Sequence, residues 1–256
     1  MLALISPAKR LDLEPWSIGR RPTQPDLLAE TELLADRCRA LTPPDLRELM
    51  SISEALAELN FNRFQEFATP FTPKNAKPAA LTFAGDTYTG LDAPSFDEGD
   101  WAFAQSHLGI LSGFYGLLRP LDLIQPYRLE MGTRLENERG RNLYDFWREP
   151  LTDLVNARTA GHADRRVINL ASKEYIKAVN SRELAESGVS IVFKEIRGES
   201  SKVIGLFAKK ARGAMASWLV RERLEDAEAL KGFTDLGYAY RESLSSDVEW
   251  VFTRTS

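Results

Sequence analysis

Short apolar runs bounded by small or turn-forming residues recur along the chain, at 2–6, 80–85, 166–172, 190–196, 203–208 and 249–254. Several are apolar on both faces, the pattern of strands covered on two sides, and they predict a buried sheet. Between them the apolar spacing is helical at about 26–40, 43–49, 53–67, 100–117, 142–158 and 209–230. The predicted class is mixed α/β. Pro-rich stretches at 20–25 and 68–78 read as surface connectors, because proline lacks a backbone donor and restricts its predecessor. With no internal repeat and no Gly/Ser linker, residues 1–256 read as one domain.

Four of the predicted strands share an ending: a small residue, then a charged or aromatic cluster, as in "LISPAKR", "FAGDTYTGL", "NLASKEYIK" and "LFAKKARG". Loops beyond the carboxyl ends of strands are where α/β folds bind ligands. Mutually parallel strands would gather Lys9, Asp86, Tyr88, Lys173, Tyr175, Lys209, Lys210 and Arg212 on one rim. A helix beginning near 209 would open with three cations and later carry "EDAE", against its own dipole. That end suits an anion such as phosphate, with a solvated turn as the plainer alternative. The glycine-rich phosphate loop, the dinucleotide fingerprint, the serine nucleophile elbow and the zinc-protease motif are all missing from the sequence.

The stretch "GFYGLLRPLDLIQPYRLEMG" (113–132) is crowded with glycine, proline, arginine and tyrosine. Helical spacing runs into it and Pro120 stops the helix, which places Arg119 at a helix C-terminus where its charge suits the dipole. Gly113 and Gly116 then permit close packing, and Tyr127 covers a core edge. Arg128 and Glu130, two apart, share one side of an extended segment. They are either a pair that orients a phosphate or base, or an internal salt bridge.

At 42–67, Thr42 can cap a helix with Pro43 at its first position and Asp45 at the capping-box spacing. Ser51, Ile52 and Ser53 make a turn plugged by the isoleucine, and Ser53 caps a second helix carrying Leu56, Ala57, Leu59 and Phe64. The spacing resembles the helix-hairpin-helix motif that holds DNA by backbone contacts to phosphate. Ser51 and Ser53 stand where that motif favours glycine, so a plain αα-hairpin is the other reading.

Composition narrows the functional classes. The 256 residues are 43% hydrophobic, ample for a core, and the net charge of −4 repels nucleic acid unless cations are concentrated locally. One cysteine (Cys38) and two histidines argue against a zinc centre or an iron store, and no metal or cofactor is expected. "MLALISPAKR" is too short in apolar residues for a signal peptide, so a cytoplasmic protein without membrane association is expected.

Taken together, "SPAK", "YTGL", "LSGFYGLLRPLDLIQPYRLEMG", "NLASKEY" and "FAKKARG" resemble the YaaA family of bacterial peroxide-stress-resistance proteins, from Met1 to nearly the C-terminus. The resemblance implies an α/β domain of unusual topology with a helix-hairpin-helix element, a positive cleft, binding of double-stranded DNA, and protection against peroxide linked to limiting free iron. On this chain the hairpin falls at 42–67, and Lys9, Arg119, Arg128, Lys173, Lys209, Lys210 and Arg212 would line the cleft. The alternative is an enzyme acting on a nucleotide or other small phosphorylated substrate there, with Tyr88, Glu130 and Tyr175 among its polar groups.

Overall fold

A computed structural model describes residues 1–17, 19–198 and 200–255. Strand β1 (Leu2–Ile5) and the short β2 (Arg10–Leu11) precede helices α1 (Leu28–Arg39), α2 (Pro43–Met50) and α3 (Glu54–Glu66). Next come β3 (Lys77–Pro78), α4 (Ala79–Thr82), β4 (Phe83–Ala84), α5 (Asp86–Leu91) and α6 (Glu98–His107). The middle of the chain supplies β5 (Leu108–Ser112), β6 (Gly116–Leu118), β7 (Leu123–Ile124) and α7 (Leu143–Thr159). Then follow β8 (Val167–Leu170), α8 (Lys173–Ile176), β9 (Val189–Arg197), β10 (Ser200–Lys202), α9 (Gly205–Arg221), β11 (Ala239–Tyr240) and β12 (Glu249–Thr255).

The main sheet has the order β11-β12-β9-β8-β1-β5-β6, with β10 added to β9. Strands β12, β9, β8, β1 and β5 run parallel, and β6, β10 and β11 are antiparallel attachments. Every residue of β1 and of β5 is buried, which explains why "LALI" and "LGILS" are nearly continuous apolar runs. The chain leaves β1 for β5 on one side and later returns to β8 on the other. Such a reversal of strand order opens a crevice at the carboxyl ends.

The predicted strands at 2–6, 166–172, 190–196 and 249–254 form. The stretch 80–85 is not a sheet strand: Thr82 donates its hydroxyl to the Lys77 and Pro78 carbonyls and closes the turn of α4. Only Phe83–Ala84 remain extended, in a ribbon with β2. Nor is 203–208 a strand, because α9 begins at Gly205. The predicted helix at 100–117 ends at His107, and its second half is β5 and β6. An apolar run of this length fits a buried helix turn and a buried strand equally well.

Helix ends follow the expected capping. The Thr42 hydroxyl accepts from the Asp45 N–H while the Asp45 carboxylate accepts from the Thr42 N–H, and Ser53 caps α3. Asp97 and Asp100 form the same reciprocal box at α6. Cys38 is fully buried in α1, and burial pushes its thiol up to about 12, which leaves it an unreactive filler. No helix among the described residues is long and apolar enough to cross a membrane.

His107, at the end of α6, stacks on Phe103 with ring centroids 3.8 Å apart and on His162 at 4.5 Å. Burial lowers its pKa to about 4. The unfolded chain therefore binds the proton more readily, so this contribution to stability is complete above pH 6.5 and fades as pH falls toward 4. His107→Phe keeps the stack and removes the titration. Unfolding free energies from urea titrations at pH 7 and 4.5 should differ less for this variant than for the wild type, by about 2 kcal/mol.

Candidate functional site

A cavity of about 400 Å³ lies beyond the carboxyl ends of β1 and β8. Its wall is assembled from residues 6–9 after β1, residues 84–88 at the start of α5, the extended segment 127–130, the β8–α8 junction, and Lys209 and Arg212 of α9. Of the residues singled out in the sequence, Lys9, Asp86, Tyr88, Arg128, Glu130, Tyr175, Lys209 and Arg212 meet there. Lys173 and Lys210 are exposed and do not line it.

Arg119 also lies outside the lining. It follows strand β6 instead of ending a helix, and its guanidinium donates to Asp122 at 3.1 Å and pairs with Asp26 at 2.9 Å. Asp122 is fully buried and Arg158 shares Asp26, so Arg119 belongs to an internal ion-pair cluster. The dipole argument at residue 209 also changes. Lys209, Lys210 and Arg212 sit in the second turn of α9 or beyond, not at its start.

Three loops converge on Ser6. Its carbonyl accepts from the Tyr88 hydroxyl at 3.1 Å, and its own hydroxyl accepts from the Ser172 N–H at 2.8 Å. The 127–130 segment is pinned separately: Tyr127 shares a 2.6 Å hydrogen bond with the Ser112 hydroxyl at the end of β5. Gly113 completes that contact, since a Cβ there would lie 2.3 Å from the Leu129 carbonyl oxygen. Helices α5 and α9 meet backbone to backbone. A Cβ on Gly213 would lie 1.8 Å from the Thr87 oxygen, and one on Gly90 2.1 Å from the Lys210 oxygen. That contact sets Asp86 and Tyr88 opposite Lys209 and Arg212.

Four cations and three carboxylates (Asp86, Glu130, Glu174) share the cavity wall. Glu130 accepts from Lys9 Nζ at 2.8 Å and meets Arg128 Nη2 at 3.4 Å. The Nε atoms of Arg128 and of Arg212 are buried without a hydrogen-bond partner. Arg212 makes no ion pair among the described residues, and burial lowers its pKa. The Asp86 carboxylate is likewise unpaired among the described residues. Burial raises the pKa of Tyr88, and burial with the neighbouring Tyr127, Glu174 and Glu130 raises that of Tyr175. Both phenols stay protonated at neutral pH and can only donate or accept hydrogen bonds.

Glu174 is a wall residue the sequence reading passed over. It accepts from the Gly132 N–H at 2.9 Å, joining α8 to the 127–132 segment. Its only signal was its place in "SKEY", between two residues that were singled out. Among the described residues, no group of three or more His, Cys, Asp or Glu could hold a metal ion.

The 42–67 segment forms an αα-hairpin, with Ser51 in the left-handed region at φ 51°. The Ser51 and Ile52 N–H groups donate to the Glu48 and Arg47 carbonyls, so these two turn amides are engaged internally. Five carboxylates and two guanidiniums lie along the segment.

The fold and site define an α/β protein with one cation-rich, tyrosine-walled cavity at the switch point of a parallel sheet. A family model described as peroxide stress protein YaaA matches residues 1–244, and the chain belongs to that family. It is 52% identical over 256 residues to a UPF0246 protein of Magnetococcus marinus, covering all of both chains. It is 51% identical over 254 residues to a UPF0246 protein of Cellvibrio japonicus, covering 99% of this chain and 98% of the relative. The UPF0246 protein of Alteromonas mediterranea matches with the same identity and coverage.

Gly213→Ala should destabilise the protein by about 3 kcal/mol or more, because neither backbone at the crossing can retreat without opening the core. Gly161→Ala, with nothing within 4 Å of the new methyl, serves as the control and should stay within about 0.5 kcal/mol. Urea denaturation of both variants reads the difference.

Proposed function

We propose that the cavity binds a phosphate-bearing ligand the size of a single nucleotide, and that the protein serves the peroxide stress response through that ligand. The observation that carries this reading is a pair of half-buried arginines, Arg128 and Arg212, each with a buried, unpartnered Nε in one cavity. A buried N–H left without an acceptor costs about 1–3 kcal/mol, and a phosphate presents several oxygens to a planar guanidinium fork. A volume of about 400 Å³ suits a small molecule and is far too narrow for a duplex. Asp86, unpaired, supplies an acceptor for a hydroxyl or amine of the same ligand. If the ligand is turned over, the base is a carboxylate, Asp86 or Glu130, since the tyrosines hold their protons.

A second reading is double-stranded DNA held across the cavity mouth, as protection against oxidative damage linked to free iron. The exposure of Lys173, Lys209 and Lys210, none of them ion-paired among the described residues, favours it. On this reading the α2–α3 hairpin acts as a helix-hairpin-helix element, against the weight of its five carboxylates and the engaged Ser51 and Ile52 amides.

Calorimetric titration with adenosine 5′-monophosphate and with a duplex of about 20 base pairs separates the two. The small-ligand reading expects saturable binding of the nucleotide, none of adenosine, and at least tenfold weakening in Arg212→Ala. Binding of the duplex alone, with a log–log salt slope near −5 for about six phosphate contacts, would transfer the function to DNA.

A further inference from the structure

Glu130 already sits on the cations that an incoming phosphate would need. One of its oxygens lies 2.8 Å from Lys9 Nζ and the other 3.4 Å from Arg128 Nη2. The second contact is long, and it engages only one corner of the guanidinium. A two-oxygen anion on an arginine fork bonds Nε and Nη together, whereas here Nε is buried and unpartnered. The Lys9 side chain is 62% exposed and that of Glu130 26%, so water screens the pair and little holds it closed. The backbone beneath is fixed by the Tyr127–Ser112 hydrogen bond and by the close approach of Gly113 to Leu129. Only the Glu130 side chain needs to swing for Arg128 to be freed.

The geometry points to Glu130 as an internal carboxylate that competes with the ligand for Lys9 and Arg128, so that the cavity selects phosphomonoester dianions over monoanionic phosphodiesters. This inference rests on the phosphate reading of the same cavity. A displaced Glu130 remains near the bound anion, and two like charges repel at that range with little screening. A monoanion gains too little from the cations to overcome both the competition and the repulsion. A dianion doubles both its attraction to the four cations and its repulsion from the three carboxylates, and because the cations outnumber them its larger net gain offsets the same fixed cost of displacing Glu130. The ligand class is therefore a terminal phosphate, as in a nucleoside monophosphate or a 5′-phosphorylated end, and not an internal backbone diester.

The test uses calorimetric titration of the full chain at pH 8, where the second phosphate proton, with a pKa of about 6, has left. The probes are adenosine 5′-monophosphate and the diester adenosine 3′,5′-cyclic monophosphate, against wild type, Glu130→Gln, Glu130→Ala and Arg212→Ala. The wild type should prefer the monoester by about tenfold or more. Both Glu130 variants should bind both probes more tightly, by about tenfold for the diester, and so narrow the preference. The alanine variant answers the question if the glutamine keeps a hydrogen bond to Lys9. Unchanged or weaker binding in both Glu130 variants, with wild-type binding intact and lost in Arg212→Ala, overturns the competition while the phosphate reading stands. Absence of binding in every variant overturns both.

Discussion

The cavity depends on a contact that contains no side chain. Where α5 crosses α9, Gly90 and Gly213 let the two backbones touch, closer than any Cβ would permit. Lys209 and Gly213 are four apart in α9 and therefore share a face, so the face that packs on α5 continues into the face that lines the cavity. On the other side Gly90 lies four residues after Asp86, and it fixes the six-residue α5 so that its first turn points into the same space. Two glycines thus set the distance between Asp86 and Tyr88 on one side and Lys209 and Arg212 on the other. A helix pair held apart by ordinary side chains, with axes 8–10 Å apart, would leave an open groove instead.

The strand ends are tied to that crossing through Ser6. Tyr88, two residues into α5, reaches back to the Ser6 carbonyl, and Ser172 beyond β8 donates to the Ser6 hydroxyl. One small residue after β1 therefore couples the position of α5 to the sheet and to α8. The Phe83–Tyr88 and Phe83–Tyr127 ring contacts, at 5.4 and 6.3 Å, back the two wall tyrosines with a buried aromatic cluster. The burial of the two orphaned Nε atoms, away from water, is what gives them their energetic weight.

Most of the candidate site was legible in the sequence, although part of the reasoning behind it was not. The four "strand-end" clusters do converge, yet only those after β1 and β8 follow strands of the main sheet. Asp86 and Tyr88 arrive on a helix that follows a two-residue ribbon, and Lys209 and Arg212 on a helix that starts at Gly205. Small residues followed by charge mark a chain reversal next to buried packing, and helices produce that grammar as readily as strands. Residues 108–118 were read as helix because "LGILSGFYGLL" is apolar throughout, and a run buried on both faces carries no period to decide the matter. Arg119 misled because its partners, Asp26 and Asp122, are fixed by tertiary structure and not by any local spacing. The hairpin caps, by contrast, were fully legible, since Thr42, Asp45 and Ser53 satisfy backbone donors within three residues of themselves.

The acidity of the whole molecule and the surplus of cations in the cavity act at different ranges, and the difference bears on ligand size. At physiological salt a charge is screened over about 8 Å, so a ligand in the cavity feels its four cations and three carboxylates, a local surplus of positive charge, and little of the net charge of −4. A duplex laid over the mouth would extend well beyond that distance. It would meet whatever charge the surrounding surface carries, including the five carboxylates along residues 42–67 if the hairpin took part. Attraction confined to a cavity about 400 Å³ in volume, on a molecule whose net charge is −4, suits a compact anion better than a polyanion. The same logic makes Glu130 effective, because a carboxylate competes best where it already contacts the cations that a ligand would need.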